Sequence, residues 1–338
     1  MYHRDLLARA CLAFGTTLAD TADLPLAGSP ARSRYRVVIV SDSGARRYVL
    51  EQIAAEAAER RERVALLLQR LAMRGLPVLP YRARSDGRGH VSLAAGAASD
   101  GPLWMLSPYL PGTPLPRPDW VQDAERGRAL GQFLVSLRRA SPDLVRGPAW
   151  NLRGFVEGLA AGLTRHRPDL LPGVNPALAV VRQRLYPALP RLPVALCHGD
   201  YHPLNIIWRD GPVGTPSAGA PIVGAPVVGA VIDWEFSGVK PELYDLAMLV
   251  GCAGVEQPSA LSGALVTSLL GTIREHGLGA DASWEEFAPL VIATRLAWLS
   301  EWLRSRDRDM IGLELAYLRI LVEEQPHLAA AWQQAGAG

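Results

Sequence analysis

Lysine is almost missing from this chain. Of 35 basic side chains among 338 residues, only Lys240 is a lysine and the rest are arginines. Codon bias in a GC-rich genome is the main cause, but the chemical consequence stands: any role that needs a lysine in the first two-thirds of the chain is vacant. Cysteine is scarce as well. Cys11, Cys197 and Cys252 are odd in number and in no CxxC spacing, which argues against a disulfide framework and fits a reducing compartment. No apolar run reaches the roughly 18 residues that suggest a membrane span. Residues 1–15 carry Asp5 early and lack an apolar signal core, so the expectation is a cytoplasmic protein with no membrane partner. Nor is there a large excess of one charge: the net value of +2 gives no reason to expect nucleic acid as a partner. What is present is apolar content, 49% of residues, too much for a disordered chain. At ~150 residues per domain the length suggests about two domains or one bilobed unit.

The first third reads as strands and one helix. Residues 35–40 (YRVVIV), a turn cluster at 41–45 and residues 47–53 (RYVLEQI) make a hairpin signature. Residues 54–73 follow with helical periodicity, Val64, Leu67, Leu68 and Leu71 being apolar among Arg and Glu. Short strands are expected at 77–81, 91–93 and, more clearly, 103–106. Residues 107–120 (SPYLPGTPLPRPDW) are dense in proline and glycine and make the best domain boundary. Helices are expected at 123–139 and around 176–186. Residues 192–208 read as strand, polar loop and strand. A low-complexity stretch at 210–226 leads into an apolar strand, 227–233, that ends in a carboxylate. From 242 onward the pattern is helical, most strongly amphipathic over 287–322.

The chemistry concentrates in two places. In His198-Gly199-Asp200-Tyr201-His202-Pro203-Leu204-Asn205 a carboxylate stands on a polar loop between apolar strands, and an amide follows five residues later. In Ile232-Asp233-Trp234-Glu235 a strand ends in an acid. Phosphoryl transfer from a nucleotide needs a base to orient the acceptor hydroxyl and oxygen ligands to hold magnesium against the phosphates. An Asp, an Asn at +5 and a second strand-end Asp supply that set. Taken singly, Asp200 reads as well as a turn-former or cap, and Asn205 as a residue closing a turn. His198 and His202, four apart on a non-helical loop before Pro203, make poor zinc geometry.

The spacing matches the H-R-D-x-x-x-x-N loop of protein kinases. With Gly199 in place of Arg, Asp233-Trp234-Glu235, and Tyr244-Asp245-Leu246-Ala247 after it, the set closely resembles the aminoglycoside phosphotransferase family, which includes choline, homoserine, methylthioribose and N-acetylhexosamine kinases. The resemblance covers about 24–322. It implies an α+β, bilobed protein-kinase-like fold: an N-lobe at 1–107, a small antiparallel sheet with one helix that binds nucleotide, and a larger, mainly helical C-lobe at 108–338. By the family's pattern Asp200 is the catalytic base, Asn205 and Asp233 are the magnesium ligands, His198 braces the loop, and Asp245 does so by accepting its hydrogen bonds. ATP and Mg²⁺ are the implied cofactors. Glu235 is left open between a magnesium neighbour, a substrate contact and a solvated acid.

The N-lobe departs from the pattern. Gly28 sits where a nucleotide-covering loop belongs, with one glycine instead of several; Arg32 and Arg34 are alternative phosphate contacts. The strand position that should present a lysine to the phosphates is Glu51. Two like charges at ~4 Å repel by about 4 kcal/mol at an effective dielectric of 20, so an active enzyme must neutralise this carboxylate. Arg60, Arg61 and Arg63 follow on the helix and could do so; Arg60, Arg63 or a loop arginine such as Arg34 is the expected partner. Residues 105–109, with Ser107 and Tyr109, can offer adenine a backbone donor and acceptor, and Val38 and Val49 can sandwich the base. On the helical side Trp298, Glu301, Trp302 and Arg304 are candidates for the substrate pocket. The part after Ser107 carries 20 basic and 23 acidic residues, no marked acidic surface for a polycation. The reading is an ATP-dependent kinase acting on a hydroxylated small molecule (sugar, amino sugar, amino alcohol or aminoglycoside), monomer or homodimer. The alternative is a catalytically weak nucleotide-binding regulator lacking the N-lobe lysine.

Overall fold

The structure is a computed structural model and describes residues 4–23, 35–40, 46–83, 89, 91–92, 103–145, 147–211 and 224–335. Gly28, Arg32, Arg34, the turn cluster at 41–45 and most of the low-complexity stretch, 212–223, lie outside the described residues. The chain forms two compact units, Met1–Gly112 with Gly229–Glu235, and Thr113–Val228 with Phe236–Gly338. The sequence places one boundary near residue 107; the structure adds a short return of the chain, Gly229–Glu235, to the first unit.

The first unit is an antiparallel sheet between two helices. Its strands are β1 (Asp20–Asp23), β2 (Tyr35–Val40), β3 (Arg47–Ile53), β4 (Val91–Ser92) and β5 (Leu103–Pro108), in the order β1-β2-β3-β5-β4. The registers Val38↔Val49 and Glu51↔Met105 place β3 at the centre. Side chains alternate along a strand. Tyr48, Leu50, Trp104 and Leu106 therefore share one face, where they pack with Leu7, Cys11 and Phe14 of helix α1 (Arg4–Ala13) and its exit. Ile53, Leu103 and Met105 face the other way and pack with Ala65 of helix α2 (Ala58–Met73). Glu51 belongs to this second face. Neither α1 nor β1 is evident in the sequence pattern. The strand expected at 77–81 is absent: only Val78 makes an isolated bridge, to Val231. Pro77 and Pro80 have no N–H to give a ladder, and Val231 N–H donates to the Pro77 carbonyl.

The second unit carries helices α3 (Ala124–Ala140), α4 (Leu152–His166), α5 (Leu171–Val180), α6 (Tyr186–Ala188), α7 (Tyr244–Glu256), α8 (Ala264–Glu275), α9 (Asp281–Glu285), α10 (Phe287–Ser305), α11 (Arg308–Glu323) and α12 (Gln325–Gln334). It also holds a short ladder of β6 (Val194–Cys197) with β9 (Gly238–Pro241); a second ladder pairs β7 (Ile206–Asp210) with β8 (Pro226–Val231), the strand along which the chain passes from this unit to the first. Helices α3 and α8 approach closely through glycines one turn apart: a Cβ on Gly127 would lie 2.2 Å from the Leu265 carbonyl oxygen. Helices α10 and α11 are joined by a bidentate ion pair, Arg295 Nε to Glu314 Oε1 at 2.8 Å and Nη2 to Oε2 at 2.5 Å, with both side chains buried.

All three cysteines are free. Burial pushes the Cys11 and Cys252 thiols up to about 11, and Cys197 well above its ordinary value. A thiol at 11 is roughly one-thousandth thiolate at pH 8, and thiolate is the nucleophile. Iodoacetamide at pH 8 should leave the native protein unlabelled and add three groups after denaturation, as read by intact mass. Rapid native labelling would contradict this packing.

Candidate active site

In the second unit the loop between β6 and β7 is held from beneath by one carboxylate. Asp245, in the first turn of α7, accepts the backbone N–H of His198 at 2.6 Å and that of Gly199 at 2.8 Å, one on each oxygen. Asp245 is fully buried, and that burial pushes its carboxyl above the ordinary value, against the opposing effects of His198, the two N–H groups and Lys240. Gly199 is the residue that makes the turn. Its φ is +85° and a Cβ there would stand 2.2 Å from the Phe236 carbonyl oxygen, so only glycine fits.

The turn delivers Asp200 to a cluster of donors. The Asp200 backbone N–H donates to His198 Nδ1 at 3.2 Å, so His198 links the two ends of the turn. Asn205 Nδ2 donates to the Asp200 carbonyl at 2.9 Å and to its Oδ2 at 3.3 Å. His202 Nε2 lies 3.6 Å from the same Oδ2. Leu204 N–H donates to His202 Nδ1, which leaves the proton of a neutral ring on Nε2, facing the carboxylate. Tyr201 turns inward, stacked on Phe133 with its hydroxyl donating to the Leu130 carbonyl. Asp200, Asn205 and His198 are thus one hydrogen-bonded group, with the His202 ring beside it at ion-pair distance.

Lys240 lies beside this loop, on β9 opposite Ala195. Its ammonium sits 4.3 Å from the Trp150 ring centroid and 5.0 Å from that of Tyr244, and its stem runs past Gly199. Burial lowers its pKa, against the pull of Asp245. No motif in the sequence points to this cage of Trp150, Lys240 and Tyr244.

In the first unit Asp233 follows β8 with φ +65°, a left-handed conformation uncommon outside glycine. Trp234 is buried, and its indole N–H donates to the Val231 carbonyl at 2.9 Å. Glu235 is neither solvated nor available to a substrate. It is buried, with Arg61 Nη2 at 2.5 Å from Oε1 and Arg60 Nη2 at 3.2 Å from Oε2. Glu51 is paired too, but with Arg61 at 2.7 Å. Arg60 binds Glu235 instead, and Arg63 pairs with Glu59 on the surface. The reason is helical phase. Arg61 falls on the inward stripe of α2 with Val64, Leu68 and Leu71, whereas Arg60 and Arg63 fall on its flanks.

The remaining expected residues are placed as follows. Val49 and Ser107 are register partners at the β3–β5 junction. Val38 lies opposite Val49 on β2. The Tyr109 N–H donates to the Arg47 carbonyl at 3.0 Å, so a donor for adenine from this segment is not Tyr109. On α10, Trp298 and Trp302 stack at 5.2 Å between centroids, and Trp298 meets the His202 ring edge-on at 5.3 Å. The Trp302 indole N–H donates to Glu314, and Glu301 pairs with Arg304. The helix therefore presents aromatic surface near His202, and its one acid, Glu301, is already paired.

The chain belongs to the phosphotransferase enzyme family (APH), whose sequence model matches residues 25–290. No protein of curated function matches it by sequence. Solved structures share its fold across nearly the whole length. A structure of the amicoumacin kinase hAmiN, in complex with AMP-PNP, Ca²⁺ and Ami, is 14% identical with a TM-score of 0.66, over 96% of this chain and 94% of that one. The GDP complex of aminoglycoside 2′-phosphotransferase-IIIa is 18% identical with a TM-score of 0.60, over 96% and 100%. The microcompartment-associated aminopropanol kinase is 15% identical with a TM-score of 0.59, over 97% and 98%. Fold and family together define a phosphotransferase that acts on an alcohol group.

Gly199→Ala tests the turn. A side chain at this φ costs about 1–3 kcal/mol before any clash is counted, and the Phe236 carbonyl adds one. The variant should unfold at a clearly lower urea concentration, and an unchanged midpoint would contradict the geometry.

Proposed function

We propose that this protein is an ATP-dependent kinase of a hydroxylated small molecule, with Asp200 as the base. The observation that carries the reading is the joint hold on Asp200: Asn205 Nδ2 on its carbonyl and carboxylate, on a turn whose N–H groups end on Asp245.

Magnesium takes hard oxygen ligands. Asn205 commits its Nδ2 to Asp200, which leaves Oδ1 as its ligand atom, and Asp233 offers a carboxylate; both fit the ion. Among the described residues no group of three or more His, Cys, Asp and Glu could hold a metal, and a site completed by phosphate oxygens and water does not need one. When bound, the magnesium–nucleotide supplies the transferable phosphoryl group and neutralises its charge. Asp200 orients the acceptor hydroxyl and takes its proton as the oxygen attacks. Asn205 donates to that carboxylate and to the Asp200 carbonyl, His202 stands 3.6 Å from the same carboxylate oxygen, and His198 fixes the turn. Ser107 and Val49, at the β3–β5 junction, are the adenine contacts we favour in the first unit. The aromatic pair Trp298–Trp302 favours an acceptor with a ring or apolar face, such as a sugar, amino sugar or amino alcohol, over a polycation that would need open carboxylates. The regulator alternative rests on Glu51 in place of a lysine and on the sparse glycine loop; an unpaired Glu51 facing the phosphates would favour it, and Glu51 is held by Arg61.

Purified protein should consume ATP in the presence of one member of a panel of hydroxylated metabolites, with phosphorylated product seen by mass spectrometry. On that substrate Asp200→Asn should lose about 10²–10⁴-fold in kcat while Mg·ATP affinity stays within a few-fold. A variant that keeps half of the parent rate would remove Asp200 from the role of base.

Asp233→Asn deletes a charge from the ion. Calorimetric titration should show Mg·ATP binding weakened and its magnesium dependence reduced. Equal affinity with equal magnesium dependence would sink the metal-ligand role.

A further inference from the structure

Glu51 is the feature that the phosphotransferase reading leaves unexplained. In nucleotide-handling lobes of this kind a strand lysine pairs with a helix glutamate. Here the strand carries the acid and the helix the base. Alternation along β3 turns Glu51 toward α2, with Ile53 and away from Tyr48 and Leu50. The phase of α2 turns Arg61 inward to meet it at 2.7 Å. Both side chains are almost fully buried, Glu51 at 6% and Arg61 at 2% exposure.

Arg61 does not stop at Glu51. Its Nη1 donates to the Tyr81 hydroxyl at 3.0 Å, and its Nη2 also reaches Glu235 at 2.5 Å. Arg60, half exposed, takes the second oxygen of Glu235. Two carboxylates and two guanidinium groups thus balance in charge. Burial acts against the Arg61 charge, but Tyr81, Glu51, Glu235 and Asp233 outweigh it and raise its pKa. A buried ion cluster is no cheap source of stability, so the question is what this one fixes. It fixes the far end of Asp233-Trp234-Glu235. The near end is fixed by Val231 N–H on the Pro77 carbonyl and by the Trp234 indole on the Val231 carbonyl. Between these two anchors Asp233 is held at φ +65°, a conformation that persists for a non-glycine residue only when its surroundings impose it.

We propose that Arg61 is the positioning cation of the first unit: it forms a strand–helix ion pair of inverted polarity with Glu51 and, through Glu235, sets Asp233 for the metal. The cation of the strand–helix pair has then moved from strand to helix, where its burial against Glu51 and Glu235 gives it a positioning role and not the phosphate contact of a strand lysine. The inference rests on the reading of Asp233 as a magnesium ligand.

Charge exchange tests it. Glu51→Lys and Arg61→Glu each unbalance the cluster by two charges. Combined, they restore the balance: the strand then carries the base and the helix the acid, beside the native Glu235. Each single variant should lower the melting temperature and weaken Mg·ATP binding at least tenfold. The double variant should recover to within about threefold of the parent. Arg61→Lys, the milder change, should reduce the magnesium dependence of ATP binding, measured as the ratio of affinities with and without the ion, more than it reduces metal-free ATP binding. A purely structural role would shift the melting temperature and leave that ratio alone. The proposal is overturned if the effects of the single variants simply add, if the double variant is no more stable than either single, if Glu51→Lys alone tightens Mg·ATP, or if Arg61→Lys leaves the ratio unchanged. Asp233→Asn, measured alongside, separates the two readings. If it abolishes the magnesium dependence while the Arg61 variants do not touch it, the positioning role alone fails. If it too leaves the dependence unchanged, the metal-ligand reading fails.

Discussion

The carboxylate of Asp245 accepts two consecutive backbone N–H groups, and the geometry of the candidate site depends on that acceptance. A buried carboxylate is costly unless its oxygens are hydrogen-bonded, and hydrogen bonds to a charged acceptor contribute about 1.5–3 kcal/mol each. Here the acid and the turn solve each other's problem. The N–H groups of His198 and Gly199 need acceptors because the turn breaks the β6 ladder, and Asp245 needs donors because α7 buries it. The bend between them is tight enough to exclude any side chain at Gly199. Asp200 comes next, and its position follows from those two bonds.

A second constraint organises the first unit. Its sheet carries an acid at the centre of β3, where an apolar residue or a lysine would be the simpler choice. The acid is tolerable because α2 brings Arg61 to it in the interior. The same guanidinium reaches Glu235, so one cation connects a strand, a helix and the segment that contains Asp233. An arginine suits this task better than a lysine, since its planar fork serves several acceptors at once and it stays charged when buried. In a chain with almost no lysine, that property is put to structural use.

The surroundings of His202 are aromatic in character. His202, oriented by Leu204 and facing Asp200, touches Trp298, which stacks on Trp302. Met248 accepts the Trp298 indole N–H at 3.0 Å, and the buried pair Arg295–Glu314 holds α10 against α11 behind these rings. Nearby, Lys240 is enclosed by Trp150 and Tyr244. Rings fixed in this way give flat, apolar contact surface at little entropic cost.

By itself the sequence determined the order of elements over most of the chain and the identity of the acid–amide set, because a loop between two strands brings His198, Asp200 and Asn205 together within eight residues. The hairpin of β2 and β3, α2 and the β6-loop-β7 unit were all legible from local periodicity. It did not reveal α1 or β1, whose short, weakly patterned segments gain stability only by packing on the sheet. It also suggested a strand at 77–81 from apolar composition alone, where two prolines prevent a ladder. Which arginine meets Glu51, whether Glu235 is solvent-facing, and what surrounds Lys240 were decided only by tertiary structure. Glu235 and Lys240 meet partners far away in the chain, 175 residues for Arg60 and Glu235 and Trp150 for Lys240, whereas Arg61 is only 10 residues from Glu51 and it is orientation that sequence leaves open there. A charge on a helix reads the same in sequence whether it faces water or a buried acid; the difference lies in the rotation of α2 against the sheet, which the packing of Ala65 on Ile53, Leu103 and Met105 fixes.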